Sequence, residues 1–197
     1  LWQRKHKTQL PTMRDSIWYG DGTKLNLFFR ECVDGKWVVR TTQVYEVIDA
    51  YSEALLGYCI SDTEDWNAQY AAYRMALTRS GHRPYELVHD NQGGHNKQKA
   101  QEFLGRLPVG LHRPTAPYSG QSKTIESVFG RFQSQYLSQA YNFTGMNITA
   151  KKWQSRANIE TVAANIDKLP TRAELPAIYE SYREQWNAAA HPSTGVS

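Results

Sequence analysis

Cysteine is almost missing from this chain, and long apolar runs are missing altogether. Only Cys32 and Cys59 occur in 197 residues, with no CxxC and no Cys/His cluster around either. That excludes a disulfide framework and leaves a zinc site without thiol support. Both cysteines lie in strand-like segments and are expected as reduced core thiols. No apolar stretch nears the roughly 20 residues of a membrane-crossing helix. No short apolar segment follows a basic start, so a soluble chain without a visible targeting signal is expected. Internal repeats and low-complexity tracts are absent too, so neither a repeat array nor a biased tract organises the chain.

What is present suits one buried core. Apolar residues make up 40% and charged residues 21%, and the length points to a single domain with extra helices. The formal charge is +4 and the pI about 9.0. The excess is uneven, with Arg4, Lys5, Lys7 and Arg14 at the start and Lys151, Lys152 and Arg156 late, which favours a polyanionic partner. "LWQRKHKTQLPTMRD" and "HPSTGVS" both read as cut ends, so a piece of a longer protein is expected.

The first half is strand-like. "IWYGDGTKLNLFFREC" and "KWVVRTTQVYEVIDAYSEALLGYCIS" are rich in β-branched and aromatic residues, with turn signals at Asp34-Gly35 and Asp49–Ser52, and predict three successive antiparallel strands. In "DTEDWNAQYAAYRMALTRSG", Trp66, Tyr70, Tyr73 and Leu77 share a helix face that Gly81 stops. "PYELVHD" predicts a short strand ending at Asp90. A polar helix over about 96–107 and a strand over 111–115 follow. Ile125, Phe129, Phe132 and Tyr136 stripe a helix that starts near Ser122, with Glu126 at the edge of the stripe. Helices over 158–168 and in "TRAELPAIYESYREQWNAAA" close the order, the latter opened by Thr171 and Glu174 at capping-box spacing and burying Leu175, Ile178, Tyr182 and Trp186. A meander followed by alternating helices and strands argues for a mixed α/β sheet with helices on its faces.

Three acidic residues stand out in that order. Asp21 lies in the first strand, Asp90 ends the fourth, and Glu126 sits early in a helix able to cross the sheet. Taken singly, each has an ordinary explanation: Asp21 between glycines as a bulge or turn, Asp90-Asn91 before Gly93-Gly94 as a loop, and Glu126 as a solvated helix residue. In "VHDNQGGHN", His89 should alternate to the side of the strand away from Asp90, and the spacing of His89 and His95 matches no zinc signature. Asp49 is a second candidate for the first acidic position.

Thirty-five residues separate Asp90 from Glu126. With "YGDGTKLNLFFR", "VYEVIDAYSEALLGYCIS", "ELVHDNQGG" and "KTIESVFGRF" in order, the chain resembles the catalytic core of the DDE transposases and retroviral-type integrases. Within that superfamily it is similar to the transposases of Mu-like phages in its "GDG", "DN…G", "ESVFG" and "FTGMNITAKK". The resemblance implies an RNase H-like mixed five-stranded sheet with helices on both faces. It implies an extension over 1–15, a DDE core over 16–140, and a loop and helices over 141–197 that complete it.

It also implies that Asp21, Asp90 and Glu126 are catalytic residues and ligands of Mg²⁺, which Mn²⁺ can replace, with two ions per site. Carboxylates are the oxygen ligands such hard cations take. The implied activity is nicking of double-stranded DNA to expose a 3′-OH and transfer of that end to a target, by an oligomer assembled on DNA, with a target-delivering ATPase as a further partner, in the cytoplasm of a bacterium or prophage host. A nuclease that never joins, and an inactive DNA-binding core, are the alternatives. Asn91, Lys97, Lys99, Arg113, Lys123 and Arg131 are the candidate DNA contacts. The family often has a basic residue seven positions after the Glu; here that residue is Gln133, and Arg131 is the expected substitute. "NFTGMNITAKKWQSRAN" is expected as an extended surface connection.

Overall fold

The computed structural model describes residues 11–90, 98–115, 122–145 and 159–190. It begins with a meander: β1 (Ile17–Val33), β2 (Lys36–Asp49) and β3 (Leu55–Ser61), paired antiparallel. Asp34 and Gly35 turn β1 into β2 with φ of 51° and 75°, the two left-handed residues that a tight hairpin whose twist matches its strands requires. At the next corner Asp49 accepts hydrogen bonds from Asp15 N, Ser52 N and Ser52 Oγ at 2.9, 2.9 and 2.6 Å. Its carboxylate is thereby a buried turn anchor.

Helix α1 (Trp66–Ser80) starts on Asp65, which accepts from Ala68 N at 2.9 Å, and ends on Gly81 at φ 72°. Strand β4 (Glu86–Asp90) then runs parallel to β1, helix α2 (Gln98–Arg106) follows, and β5 (Leu111–Thr115) runs parallel to β4. Helices α3 (Ser122–Gln135), α4 (Ile159–Ala164) and α5 (Leu175–Ala188) complete the chain. The sheet order is β3-β2-β1-β4-β5, the expected mixed five-stranded arrangement. No helix among the described residues is long and apolar enough to cross a membrane.

Alternation along the strands sorts the core into two layers. Tyr19, Leu25, Leu27, Val44, Ile48 and Val88 meet α3 and α5 through Ile125, Val128, Phe132, Leu175, Tyr179 and Trp186. On the other face Trp18, Tyr45, Val47 and Leu87 meet α1 and α2 through Ala72, Tyr73, Ala76 and Leu104.

Helix α1 buries a different stripe from the aromatic one expected. Ala68, Gln69, Ala72, Tyr73 and Ala76 face the sheet, and Tyr70 is 38% exposed. The cause is close approach: a Cβ on Gly57 of β3 would overlap the backbone of Ala72 and Ala76, so small residues must face the strand. Trp66 and Tyr70 turn sideways onto Phe103 of α2, with ring centroids 5.6 and 5.0 Å away. The cysteine expectation also needs correction. Cys32 is exposed, because it lies in the distal arm of the β1–β2 hairpin opposite Trp37, and Cys59 is half-buried.

Beyond the end of β4, the edge of β1 is taken up by returning chain. Phe28 N donates to Asn142 O at 2.7 Å, Thr144 N to Asn26 O at 3.0 Å, and Arg30 N to Pro170 O at 2.8 Å. The Asn142 side chain also donates to Phe28 O at 2.7 Å. The start of the expected surface connection is thus a strand-edge cover.

Helix α5 is held by a buried ion pair that its apolar pattern conceals. Its buried residues are Leu175, Tyr179, Arg183 and Trp186, with Ile178 and Tyr182 at the flank. Arg183 donates to Glu46 of β2 through Nη2 at 2.8 Å and Nε at 3.2 Å, and Tyr179 donates to Glu46 Oε2 at 2.9 Å. Burial pushes the Glu46 carboxyl up, and the Arg183 and Tyr179 donors oppose that push. Thr171 and Glu174 form the expected box, Glu174 Oε2 accepting from Thr171 N at 2.7 Å.

Two outcomes follow. Arg183→Ala leaves the Glu46 charge buried without its countercharge, with the Tyr179 hydroxyl still donating to it, and urea unfolding should show a loss of about 3–5 kcal/mol, whereas Glu46→Leu with Arg183→Met should recover most of it. The second concerns His89 and His112, stacked on the α1/α2 face with Nε2 atoms 2.7 Å apart. That contact needs one donor and one acceptor, so both rings cannot be charged in it, and burial lowers the His112 pKa. A group depressed in the folded state stabilises above its unfolded pKa, about 6.5, and that contribution is lost as pH falls through the lower folded value. Stability should therefore drop on acidification below about pH 6.5, and His112→Phe should flatten that part of a pH series of thermal melts.

Candidate active site

Asp21 and Asp90 become backbone neighbours because of where β1 and β4 meet. The parallel register runs from Ile17↔Glu86 to Gly20↔His89. One residue further on each strand come Asp21 and Asp90, so their backbone positions are neighbours at the end of β4. The Asp90 side chain lies outside what is described. Asp21 lies near the start of a long strand, on the face that carries Tyr19 and α3. Its Oδ1 accepts from Gly22 N at 2.8 Å.

The glycines flanking Asp21 make room rather than a turn; neither has positive φ. A Cβ on Gly20 would stand 2.7 Å from the Tyr45 hydroxyl and overlap that of Tyr73, and one on Gly22 would overlap the Glu64 carboxylate. Below Gly20 the two phenols are 2.9 Å apart. Burial first, then Tyr73 and the Asp21 and Glu64 charges, holds the Tyr45 phenol well above its ordinary range.

Helix α3 carries Glu126 on the same side of the sheet as Asp21. Ile125, Val128 and Phe132 seat it in that core layer, and Glu126 itself is exposed. Gln133 lies two helical turns after Glu126, hence on the same side of the helix, and its Oε1 accepts from Asn26 Nδ2 of β1 at 2.9 Å. The position where a basic residue was sought thus ties α3 to the strand that bears Asp21. Arg131 points elsewhere. It pairs with Glu53 and lies over the Trp186 ring, 5.6 Å from its centroid.

Of the other candidates, Asn91 and Lys97 lie outside the described residues, as does His95. Lys99 is on α2, Arg113 on β5 and Lys123 in the first turn of α3, with side chains that are not described. Asp49 is the turn anchor, in register with Trp18, three residues before Asp21 on β1. Among the described residues no group of three or more His, Cys, Asp or Glu is gathered to hold a metal, a set that does not include the Asp90 side chain. The donors of the proposed site are all carboxylates, and His89, in register with Gly20, belongs to the opposite face with His112. An all-oxygen set fits a hard divalent cation such as Mg²⁺. Glu64 escaped the sequence reading because an acidic residue just before a helix cap is commonplace.

No family model matches the chain, and no curated protein matches it by sequence. Solved structures do. The HTLV-2 integrase catalytic core domain, in complex with magnesium and in a trimeric form, aligns over 94% of this chain and 95% of its own, at 16% identity and a TM-score of 0.55. A simian T-cell lymphotropic virus intasome, in complex with PP2A regulatory subunit B56 gamma, aligns over 96% of this chain and 63% of its own, at 16% identity and a TM-score of 0.52. The fold is that of a retroviral integrase catalytic core.

Proposed function

We propose that this chain is the catalytic core of a DNA transposase of the Mu-like type, a polynucleotidyl transferase that nicks DNA and joins the exposed 3′ end to a target. The observation that carries the reading is the neighbouring placement of Asp21 and Asp90 at the end of β4, with α3 bringing Glu126 to the same side of the sheet. The fold likeness to integrase cores supports it, and so do the four motifs in their order. Asp21, Asp90 and Glu126 are the proposed ligands of Mg²⁺ or Mn²⁺, two ions in all. Such ions, when bound, activate an attacking oxygen and stabilise a leaving one in an in-line phosphoryl displacement.

The protein's own part is positioning. Asp21 is carried by a central strand paired on one side with β2 and on the other with β4, which gives its oxygens little freedom. Glu126 rides on a helix held by apolar packing and by Gln133. Water serves as the nucleophile in the first step and the new 3′-OH in the second, so the protein forms no covalent intermediate. Lys99, Arg113 and Lys123, with Asn91 and Lys97, are the proposed contacts to double-stranded DNA; Arg131 is a weaker candidate because Glu53 holds it. An oligomer assembled on DNA, a target-delivering ATPase and action in the cytoplasm complete the proposal.

In the full-length protein, Asp21→Asn, Asp90→Asn and Glu126→Gln should each cut nicking and joining by about 10³-fold or more, with DNA binding and the thermal melt kept. The assay supplies a 3′-OH element end and a supercoiled target. Covalent attachment of that end separates a transposase from a plain nuclease, and unchanged processing by Asp90→Asn would sink the catalytic reading.

A further inference from the structure

Glu64 lies in the connection between β3 and α1, away from the three proposed catalytic carboxylates in sequence, yet it meets the strand that carries Asp21. Its carboxyl group fills the space where residue 22 would have a Cβ. Asp21 Oδ1 accepts from the N–H of that same residue at 2.8 Å. Two carboxylates therefore bracket Gly22, one at its amide and one at its Cα. Burial chiefly holds the Tyr45 and Tyr73 phenols up, Tyr73 adds to the rise at Tyr45, and the Asp21 and Glu64 charges contribute smaller pushes in the same direction. Glu64 also lines a groove of about 390 Å³ together with Thr23, Lys24, Thr42 and Asp62, so ions and water have access to it.

We infer that Glu64 is a positioning residue for this site: from the α1 face, across the sheet from the Asp21 side chain, it sets the β1 backbone at Gly22 and adds its negative charge to the field that draws a divalent cation to Asp21. The inference rests on the proposed function. It accounts for the second glycine of Gly-Asp-Gly, which must be bare for the carboxylate to approach. Gln fills the same volume, so packing alone would be satisfied by either residue, and a Glu-to-Gln change separates the charge from the packing.

The test is Mn²⁺ binding by titration calorimetry on the full chain, with thermal melts alongside. Wild-type protein should bind, and Asp21→Asn should abolish or severely weaken binding. Glu64→Gln should weaken it about tenfold at low salt with an unchanged melt, and the gap should narrow as ionic strength rises. Glu64→Asp, which keeps the charge on a shorter stem, should lie nearer wild type than Glu64→Gln. Equal affinities for wild type and Glu64→Gln, or equal losses in the Asp and Gln variants, would overturn the role assigned to Glu64 while leaving the site at Asp21 standing. Wild-type protein whose Mn²⁺ binding is absent or indifferent to Asp21→Asn would instead overturn the proposed function itself.

Discussion

The parallel pairing of β1 with β4 is the constraint on which the site depends. Two strands separated by a hairpin, a third strand and a helix come into register over Ile17–Gly20 and Glu86–His89. Such a long-range pairing is costly in loop entropy. It is stabilised on one face by Tyr19, Val88 and α3, and on the other by Trp18, Leu87 and the helices α1 and α2. A one-residue slip would turn Asp21 into the α1 layer and the Gly20 position toward α3. Apolar burial on both faces therefore fixes where the proposed catalytic carboxylate points.

The two faces divide the work. On the α1 face, glycine at 20 and 22 admits phenol hydroxyls and a carboxylate up to the strand. On the α3/α5 face, the register sets Asp21 opposite Glu46, and like charges directly opposite on neighbouring strands are unfavourable. Arg183 resolves that conflict by donating to Glu46 from α5 at full burial. The C-terminal helix is in this way part of the electrostatic support of the site as well as of the core.

The strand edge makes a similar point. β1 is far longer than β4, and past Asp21 its free edge acquires cover from Asn142, Thr144 and Pro170. Asp21 lies between the end of one partner and the start of the next. Where a central strand changes partners, a side chain can meet solvent and ligand without the strand losing its place in the sheet.

Much of this was legible from local pattern alone. Alternation and turn residues marked the meander and the hairpin at Asp34-Gly35, Gly81 marked the end of α1, and the spacing of Ile125, Phe129 and Phe132 marked α3, because these signals depend only on neighbours along the chain. Asp21, Asp90 and Glu126 stood out through their flanking motifs. Partner identity, by contrast, is set by contacts far apart in sequence. The alanine stripe of α1 is decided by Gly57 on another strand, the burial of Arg183 by Glu46, the engagement of Arg131 by Glu53, and the place of Glu64 by the missing side chain at Gly22. The sequence by itself determined the elements, their order and the acidic residues to suspect; only the tertiary structure decided which faces those elements present and which charges meet, because burial and Coulomb interaction depend on distance in space.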